Sequence, residues 1–298
     1  MCARQLAGPE WVDRDMTFET VLAVLDALGP GCELVLPFAG GEPLLHTDIV
    51  EIVRSCTDSG RRCELATNAT LLDGRRSRAL LEAGLSTVII SLDAACAATY
   101  ERVRRGASYE RTCSNVMTLL RTKQRLGVRT WVVIQMIALP ENAGEGPALR
   151  RTWAGVRGVD AVRIKADEVH VEITRRADDP PRRRRGPCHF PWLGPALVRY
   201  DGSVFPCVHS WRGEPVGRLG EGSDTLAGIW SGEAMTAWRA AHREGRWVDV
   251  PACRACRAVE PHPWLVGASV VVPSHLTRRA IPLLEAADRL SGHRLVRV

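Results

Sequence analysis

Four cysteines in the last third of the chain have the spacing of a metal or cluster site. They are Cys188, Cys207, Cys253 and Cys256. A predicted hairpin over residues 196–205, turning at Gly202, brings the first two together, and the last two form a Cys-x-x-Cys pair. Four thiolates satisfy a tetrahedral Zn²⁺ or bind all four irons of a [4Fe–4S] cluster, and spacing alone does not separate these alternatives.

A second group of residues follows predicted strands nearer the start of the chain. Gly40, Gly41 and Glu42 come after one strand, Asn68 after the next, and Ser91 ends a third. Each would serve equally well as a cap or a surface residue. Because the carboxyl ends of parallel strands meet at one edge, where chemistry collects, we expect these residues to face one mouth.

Short apolar runs alternate with helical patterns over the first 165 residues. Strands are predicted over 33–38, 62–67, 86–92, 130–137 and 160–165, and helices over 16–28, 47–59, 73–83, 109–126 and 146–156. This alternation indicates parallel strands with right-handed crossovers, and the near-continuous Val, Ile and Leu runs indicate that both faces are covered. An open doubly wound sheet and an incomplete βα barrel both fit.

A charged, proline-bearing segment interrupts this pattern and predicts a domain boundary. The predicted division is 1–174 for the first domain, 175–186 for a linker, 187–260 for the cysteine-bearing domain, and 261–298 for a tail with a helix over 276–291. We interpret the linker as a solvated connector rather than a basic ligand-steering patch.

Composition excludes several classes of protein. The 298 residues carry a net charge of +6, but Lys123 and Lys165 are the only lysines, so the charge is more typical of a GC-rich genome than of nucleic-acid binding. The apolar runs are strand-length, and no signal peptide is recognised, so we expect neither a membrane protein nor an exported one. We therefore expect ten cysteines in a cytoplasmic protein, with no disulfide framework.

In their order, the strand-end motifs resemble those of the radical SAM enzymes. Gly40-Gly41-Glu42-Pro43 resembles the family's S-adenosylmethionine-binding GGEP motif. Thr67-Asn68, Ser91-Leu92-Asp93-Ala94 and Val103-Arg104-Arg105-Gly106 are similar to later family segments. The four cysteines resemble the opening of a SPASM domain and, since no cysteine follows Cys256, the shorter Twitch domain. The resemblance covers roughly residues 1–260.

The resemblance implies a fold, cofactors and roles for these residues. The fold would be α/β, a partial (β/α)6 TIM-like barrel without its first strand, followed by a small Twitch domain of a β-hairpin and helices. The cofactors would be S-adenosyl-L-methionine, a radical-generating [4Fe–4S] cluster and an auxiliary [4Fe–4S] cluster on the four cysteines. Gly40, Gly41 and Glu42 would meet the ammonium of S-adenosylmethionine, Asn68 and Ser91 would offer hydrogen bonds, and Arg104 would pair with its carboxylate.

The chain departs from the family at the cluster loop. A radical SAM enzyme uses Cys-x-x-x-Cys-x-x-Cys, and the only candidate here is Cys2, which resembles the last cysteine of that loop. We consider three explanations for the incomplete loop, in order of preference. The first is a misplaced start or a fragment, and the second is a natural loss. The third is recruitment of another cysteine, namely Cys32, Cys56, Cys63, Cys96 or Cys113. We expect that the polypeptide as written cannot hold a normal radical-generating cluster.

The expected activity follows the family. A 5′-deoxyadenosyl radical would oxidise a small molecule. The favoured substrate is a sugar, aminocyclitol or nucleoside of a natural-product pathway. A flavodoxin or ferredoxin would supply the electron that reduces the radical-generating cluster. The alternatives are a peptide maturase, and a non-catalytic or zinc-stabilised α/β binding protein.

Several residues near these sites are weaker candidates. Lys165, Asp167, Glu168 and His170 follow the last strand and are possible bases, none of them assigned. His189 and His209 flank auxiliary cysteines, and Trp192 and Trp211 are expected to pack around the cluster.

Overall fold

The computed structural model describes residues 14–29, 31–166, 188, 190–219, 225–254 and 256. The chain divides into two compact units, Met1–Asp167 and Glu168–Val298. The predicted linker over 175–186 and the tail over 261–298 lie outside the described residues, so those boundaries stay predictions.

The first unit alternates strands and helices. Its strands are β1 (Leu34–Val35), β2 (Arg62–Thr67), β3 (Thr87–Ser91), β4 (Trp131–Ala138) and β5 (Ala161–Ala166). Its helices are α1 (Phe18–Ala27), α2 (Ile49–Asp58), α3 (Gly74–Glu82), α4 (Ala97–Val103), α5 (Tyr109–Leu126) and α6 (Gly146–Trp153). Short 3₁₀ helices cover Pro43–Leu45 and Pro140–Asn142.

The five strands form one parallel sheet in the order β1-β2-β3-β4-β5. A doubly wound sheet reverses its order at a switch point, whereas a βα barrel adds each strand beside the previous one. The unbroken order therefore decides between the two sequence-based alternatives in favour of an arc of a TIM-like barrel. The face of the sheet that the helices cover is apolar, with side chains such as Leu65, Ile90 and Ile134 fully buried.

Local signals explain where the helices begin and end. Thr17, Asp73 and Ser108 cap the starts of α1, α3 and α5 by accepting a backbone N–H three residues along. The long helix α5 ends at Gly127, whose φ of 65° is in the left-handed region that glycine adopts freely. These signals explain why the predicted bounds of the long helices are close to those observed.

Two elements of the first unit differ from the prediction. β1 pairs over only two residues rather than 33–38, because Pro37 has no N–H to donate to a ladder. Helix α4 was not predicted. Its seven residues are too few for a clear helical period, and packing of the buried Tyr100, whose hydroxyl lies 3.1 Å from that of Thr112 on α5, stabilises it.

The second unit contains the predicted hairpin. Strands β6 (Leu197–Val198) and β7 (Ser203–Phe205) are antiparallel, and β8 (Gly217–Arg218) pairs with the other side of β7. Gly202 turns the chain with a φ of 78°, and a Cβ there would lie 2.2 Å from the carbonyl oxygen of Leu219. The turn therefore requires glycine.

Helices accompany this small sheet. They are α7 (Phe190–Leu193), α8 (Leu226–Ser231), α9 (Glu233–Arg243) and α10 (Pro251–Arg254), with a 3₁₀ turn at Trp247–Asp249. The Cys253-x-x-Cys256 pair lies on and just after α10, and the 3₁₀ turn precedes it.

Candidate functional site

Glu42 joins the Gly-Gly loop to the end of the neighbouring strand. Its Oε1 accepts the Thr67 hydroxyl at 2.6 Å and the backbone N–H of Leu44 at 3.1 Å. Its Oε2 accepts the backbone N–H of Asn68 at 2.8 Å. Both carboxylate oxygens are therefore engaged by the protein, so this residue shapes the loop in addition to carrying negative charge.

The loop after β2 is held in one conformation by its own side chains. Asn68 Oδ1 accepts both the backbone N–H of Thr70 at 2.9 Å and its hydroxyl at 2.6 Å. Ala69 between them is fully buried with a φ of 58°, an uncommon conformation for a residue with a side chain. Asn115 on α5 donates to the carbonyl oxygens of Ala69 and Thr70 at 2.9 and 3.2 Å, which stabilises this turn.

The guanidinium of Arg104 is bound by a buried carboxylate. Arg104 donates from Nε, at 2.8 Å, and from Nη2 to Asp93 Oδ2. Asp93 has no exposed surface, and its Oδ1 accepts the backbone N–H of Ile137 at 2.8 Å. A buried charge of this kind needs both an opposite charge and hydrogen bonds. The pair fixes Arg104 beside the end of β3. Among the residues that the structure describes, none accepts a hydrogen bond from Arg104 Nη1, which could donate to a ligand.

Two more side chains fasten the loop after β4 to the end of β3. Asn142 donates to the carbonyl oxygens of Asp93 and Ile137 at 2.9 and 2.8 Å. Glu145 accepts the backbone N–H of Ala95 at 2.6 Å, and the Cys96 thiol lies 3.9 Å from its other oxygen. Two side chains of the segment after β4 therefore hold the backbone around Asp93.

The remaining predicted residues at this edge are open. Gly40 and Gly41 are exposed, and neither has a side chain to cover its peptide groups; the φ of 89° at Gly40 is one that glycine adopts freely. Ser91 ends β3, and within the described part of the chain its partly exposed hydroxyl has no hydrogen-bond partner. Peptide groups, a hydroxyl and a guanidinium at one sheet edge suit the ammonium and carboxylate of an amino acid.

The four cysteines of the second unit line one pocket of about 300 Å³, which includes its opening to solvent. Cys207, Cys253 and Cys256 are buried, and Cys188 is partly exposed. Burial raises the pKa of the Cys207 thiol to about 11, with Cys188 and Cys256 adding to the shift. Loss of that proton therefore needs a positive charge in the pocket, such as a bound metal provides.

The four thiols of this pocket could hold either a zinc ion or a cluster. Four sulfurs on one zinc would each lie about 2.3 Å from the ion. A four-iron, four-sulfide cluster takes one thiolate on each of its irons. The lining of the pocket supplies four thiols for either group.

Two histidines complete the wall of this pocket. His209 packs edge-on against Phe190, with ring centroids 5.5 Å apart. His242 on α9 is 1% exposed, and its Nδ1 accepts the backbone N–H of Cys188 at 3.3 Å. Its ring lies between those of Trp192 and Trp238, with centroids 6.4 and 6.5 Å away. His242 was not predicted, because an isolated histidine on an amphipathic helix has no local signal.

Some sequence-based candidates are not tested by these contacts. Cys2, Asp167, Glu168, His170 and His189 lie outside the described residues. The cysteines considered for recruitment lie where the sequence indicated: Cys32 before β1, Cys56 on α2, Cys63 in β2, Cys96 after β3 and Cys113 on α5. Asp93 was noted only as part of a motif, and its hold on Arg104 depends on long-range pairing that spacing does not show.

Comparison with protein families decides the class of the chain. The model of the radical SAM superfamily matches residues 1–150 of the 298. The chain belongs to the radical SAM superfamily. An iron–sulfur cluster-binding SPASM domain matches residues 188–257, which contain all four cysteines of the pocket. The two matched domains imply [4Fe–4S] clusters and S-adenosyl-L-methionine as the cofactors of this chain.

Its relatives carry out different reactions. The chain is 24% identical to a tungsten-containing aldehyde ferredoxin oxidoreductase cofactor-modifying protein of Pyrococcus furiosus, over 80% of this chain and 78% of that protein. It is 32% identical to an AdoMet-dependent heme synthase of Methanosarcina barkeri, over 40% of this chain and only 34% of the synthase. The shared region is thus about a third of the latter protein.

Solved structures share the fold at low identity. BtrN in complex with AdoMet and 2-DOIA is 18% identical with a TM-score of 0.50, over 83% of this chain and 82% of BtrN. Streptococcus suis SuiB bound to the precursor peptide SuiA is 14% identical with a TM-score of 0.59, over 80% of this chain and 64% of SuiB.

No helix within the described ranges is both long and apolar enough to cross a membrane.

Replacing Glu42 by Gln is expected to destabilise the first unit by about 1–3 kcal/mol, because an amide nitrogen cannot accept the N–H groups that a carboxylate oxygen accepts. Urea denaturation monitored by circular dichroism measures the change. Glu51→Gln is the matched control, since Glu51 is exposed and lies 3.9 Å from Arg54. Equal stability of the two variants would contradict the joining role of Glu42.

Proposed function

We propose that the open edge of the barrel arc binds the amino-acid part of S-adenosylmethionine. Exposed backbone carbonyl groups of Gly40 and Gly41 would accept hydrogen bonds from its ammonium, and Glu42 would hold their loop in place. Arg104, oriented by Asp93, would donate to its carboxylate. The Ser91 hydroxyl and the loop at Asn68 would supply hydrogen bonds nearby.

The four thiols of the second unit are proposed as the ligands of the auxiliary [4Fe–4S] cluster. They are Cys188, Cys207, Cys253 and Cys256. That all four line one pocket is the observation that carries the proposed function. Four thiolates would occupy every iron, so no iron remains open to coordinate substrate, and transfer of electrons is the role left to the cluster.

These groups together suit a two-electron oxidation. When bound, S-adenosylmethionine and the two clusters supply a 5′-deoxyadenosyl radical that removes a hydrogen atom, and an acceptor for the second electron. The chain itself must bind the alcohol at the open sheet edge and take one proton from it. Cys2 is proposed as a ligand of the radical-generating cluster. The electron that reduces this cluster is proposed to come from a flavodoxin or ferredoxin.

We favour a sugar, aminocyclitol or nucleoside as the substrate, oxidised from an alcohol to a ketone. Support comes from the likeness to BtrN, which covers more than four-fifths of both chains and was crystallised with AdoMet and 2-DOIA. A peptide is the second candidate, because SuiB bound to its precursor peptide has the higher TM-score. A reducing, cytoplasmic location is also proposed, because cysteines persist there as thiols that can bind metal clusters.

Arg104→Gln is expected to weaken S-adenosylmethionine binding about ten- to a hundredfold, because one charge-assisted hydrogen bond contributes about 1.5–3 kcal/mol. Equilibrium dialysis with labelled S-adenosylmethionine on reconstituted protein measures the affinity, and thermal denaturation checks that the variant is folded. Arg105→Gln is the matched control, since Arg105 is its exposed neighbour. Unchanged affinity in the folded Arg104 variant would contradict the assignment.

Cys207→Ala is expected to remove one cluster, which amounts to about four irons and four sulfides per chain. Iron and sulfide analysis after anaerobic reconstitution, with the visible spectrum, measures the loss. The control is Cys96→Ala, because Cys96 is an exposed thiol of the first unit. One zinc and no sulfide in the wild-type protein would instead establish the zinc-stabilised alternative.

The reaction itself is tested with deuterated alcohols. In protein whose radical-generating cluster has all three of its cysteines, an aminocyclitol or sugar deuterated at the carbinol carbon should transfer deuterium into 5′-deoxyadenosine. The product should lack that deuterium and one further hydrogen, as mass spectrometry would show. The same molecule deuterated at a different carbon is the control. Deuterium transfer only from a peptide would favour the second candidate, and no 5′-deoxyadenosine with any substrate would favour a non-catalytic protein.

A further inference from the structure

His242 lines the same pocket as the four thiols and could contact a group that they bind. It lies in the wall of their pocket, on a different element from each of the four cysteines. Its ring is 1% exposed and is packed edge-on by Trp192 and face-to-face by Trp238. The two indoles therefore allow the imidazole little rotation, and its two nitrogens keep fixed directions.

The hydrogen bond to Cys188 decides which nitrogen carries the proton. Nδ1 accepts the backbone N–H of Cys188 at 3.3 Å, so Nδ1 has no proton of its own. A neutral imidazole has one donor and one acceptor, and the donor is therefore Nε2. Nε2 is buried as well. The pocket to whose wall His242 belongs is also lined by the four thiols.

We propose that His242 donates a hydrogen bond from Nε2 to a sulfur atom of the auxiliary cluster, while Nδ1 positions the backbone of its ligand Cys188. His242 is thus a positioning residue that binds no iron. The inference rests on the proposed assignment of the four cysteines to that cluster.

The consequence is a higher reduction potential. A hydrogen bond to cluster sulfur stabilises the additional negative charge of the reduced state more than it stabilises the oxidised state. The auxiliary cluster would therefore accept an electron from an oxidised substrate more readily with His242 than without it. A residue that only filled space would leave the potential unchanged.

Two substitutions separate the two nitrogens. His242→Asn places an oxygen near the position of Nδ1, so it retains an acceptor for the Cys188 N–H and loses the distal donor. His242→Gln places an amide nitrogen near the position of Nε2, so it retains the donor and loses the acceptor. Thr236→Ala is the control, because Thr236 is exposed on the same helix.

The measurement is a potentiometric titration of the full-length reconstituted protein, followed by electron paramagnetic resonance, with iron and sulfide counted in each variant. His242→Asn should lower the ratio of reduced to oxidised auxiliary cluster about tenfold at a fixed potential, which equals about 59 mV for a one-electron couple. His242→Gln and Thr236→Ala should stay near the wild-type potential.

The outcomes distinguish this inference from the proposed function. If wild-type protein binds no auxiliary cluster, the assignment of the four cysteines is wrong, and the role proposed for His242 is then wrong as well. If the cluster is present and His242→Asn keeps the wild-type potential, only the inference is overturned. Equal lowering by Asn and Gln, or loss of the cluster in both, would also overturn it, because retention of the donor would then have no effect.

Discussion

Asp93 is buried at the end of β3, where one carboxylate oxygen holds Arg104 and the other holds the backbone N–H of Ile137. Removing a carboxylate from water is costly, and only a close opposite charge with further hydrogen bonds offsets the cost. Asp93 therefore requires both partners, and the requirement ties β3, β4 and the segment after α4 together. The proposed cofactor edge depends on this constraint, because it gives a flexible arginine a single position.

Buried or partly buried carboxylates accept backbone N–H groups at other strand ends of the sheet as well. Glu42 accepts the N–H of Asn68 after the neighbouring strand, and Glu145 accepts the N–H of Ala95 after β3. In a parallel sheet, each strand ends with peptide groups that leave the ladder and need other partners. Carboxylates from adjacent loops satisfy these groups, so the residues that shape the site also complete the hydrogen bonding of the fold.

Much of the first unit could be predicted because its signals are local. The apolar runs of β2 to β5 and the caps of α3 and α5 lie within a few residues of the elements they define. The short extent of β1 also has a local cause, because Pro37 limits pairing with β2, and the prediction over 33–38 overlooked it. The existence of α4 depended on another part of the chain, since a contact from Tyr100 to α5 stabilises it.

The sequence by itself determined the class of the protein and indicated the residues that are proposed to carry its chemistry, since the Gly-Gly-Glu-Pro loop and the spacing of Cys253 and Cys256 are local patterns. It left the strand order open between two folds and gave no sign of His242. Only the tertiary structure decided that the sheet is an arc of a barrel, that Asp93 binds Arg104, and that an imidazole from α9 reaches Cys188, 54 residues away along the chain. Such contacts depend on how distant segments pack, and no spacing within one segment determines that.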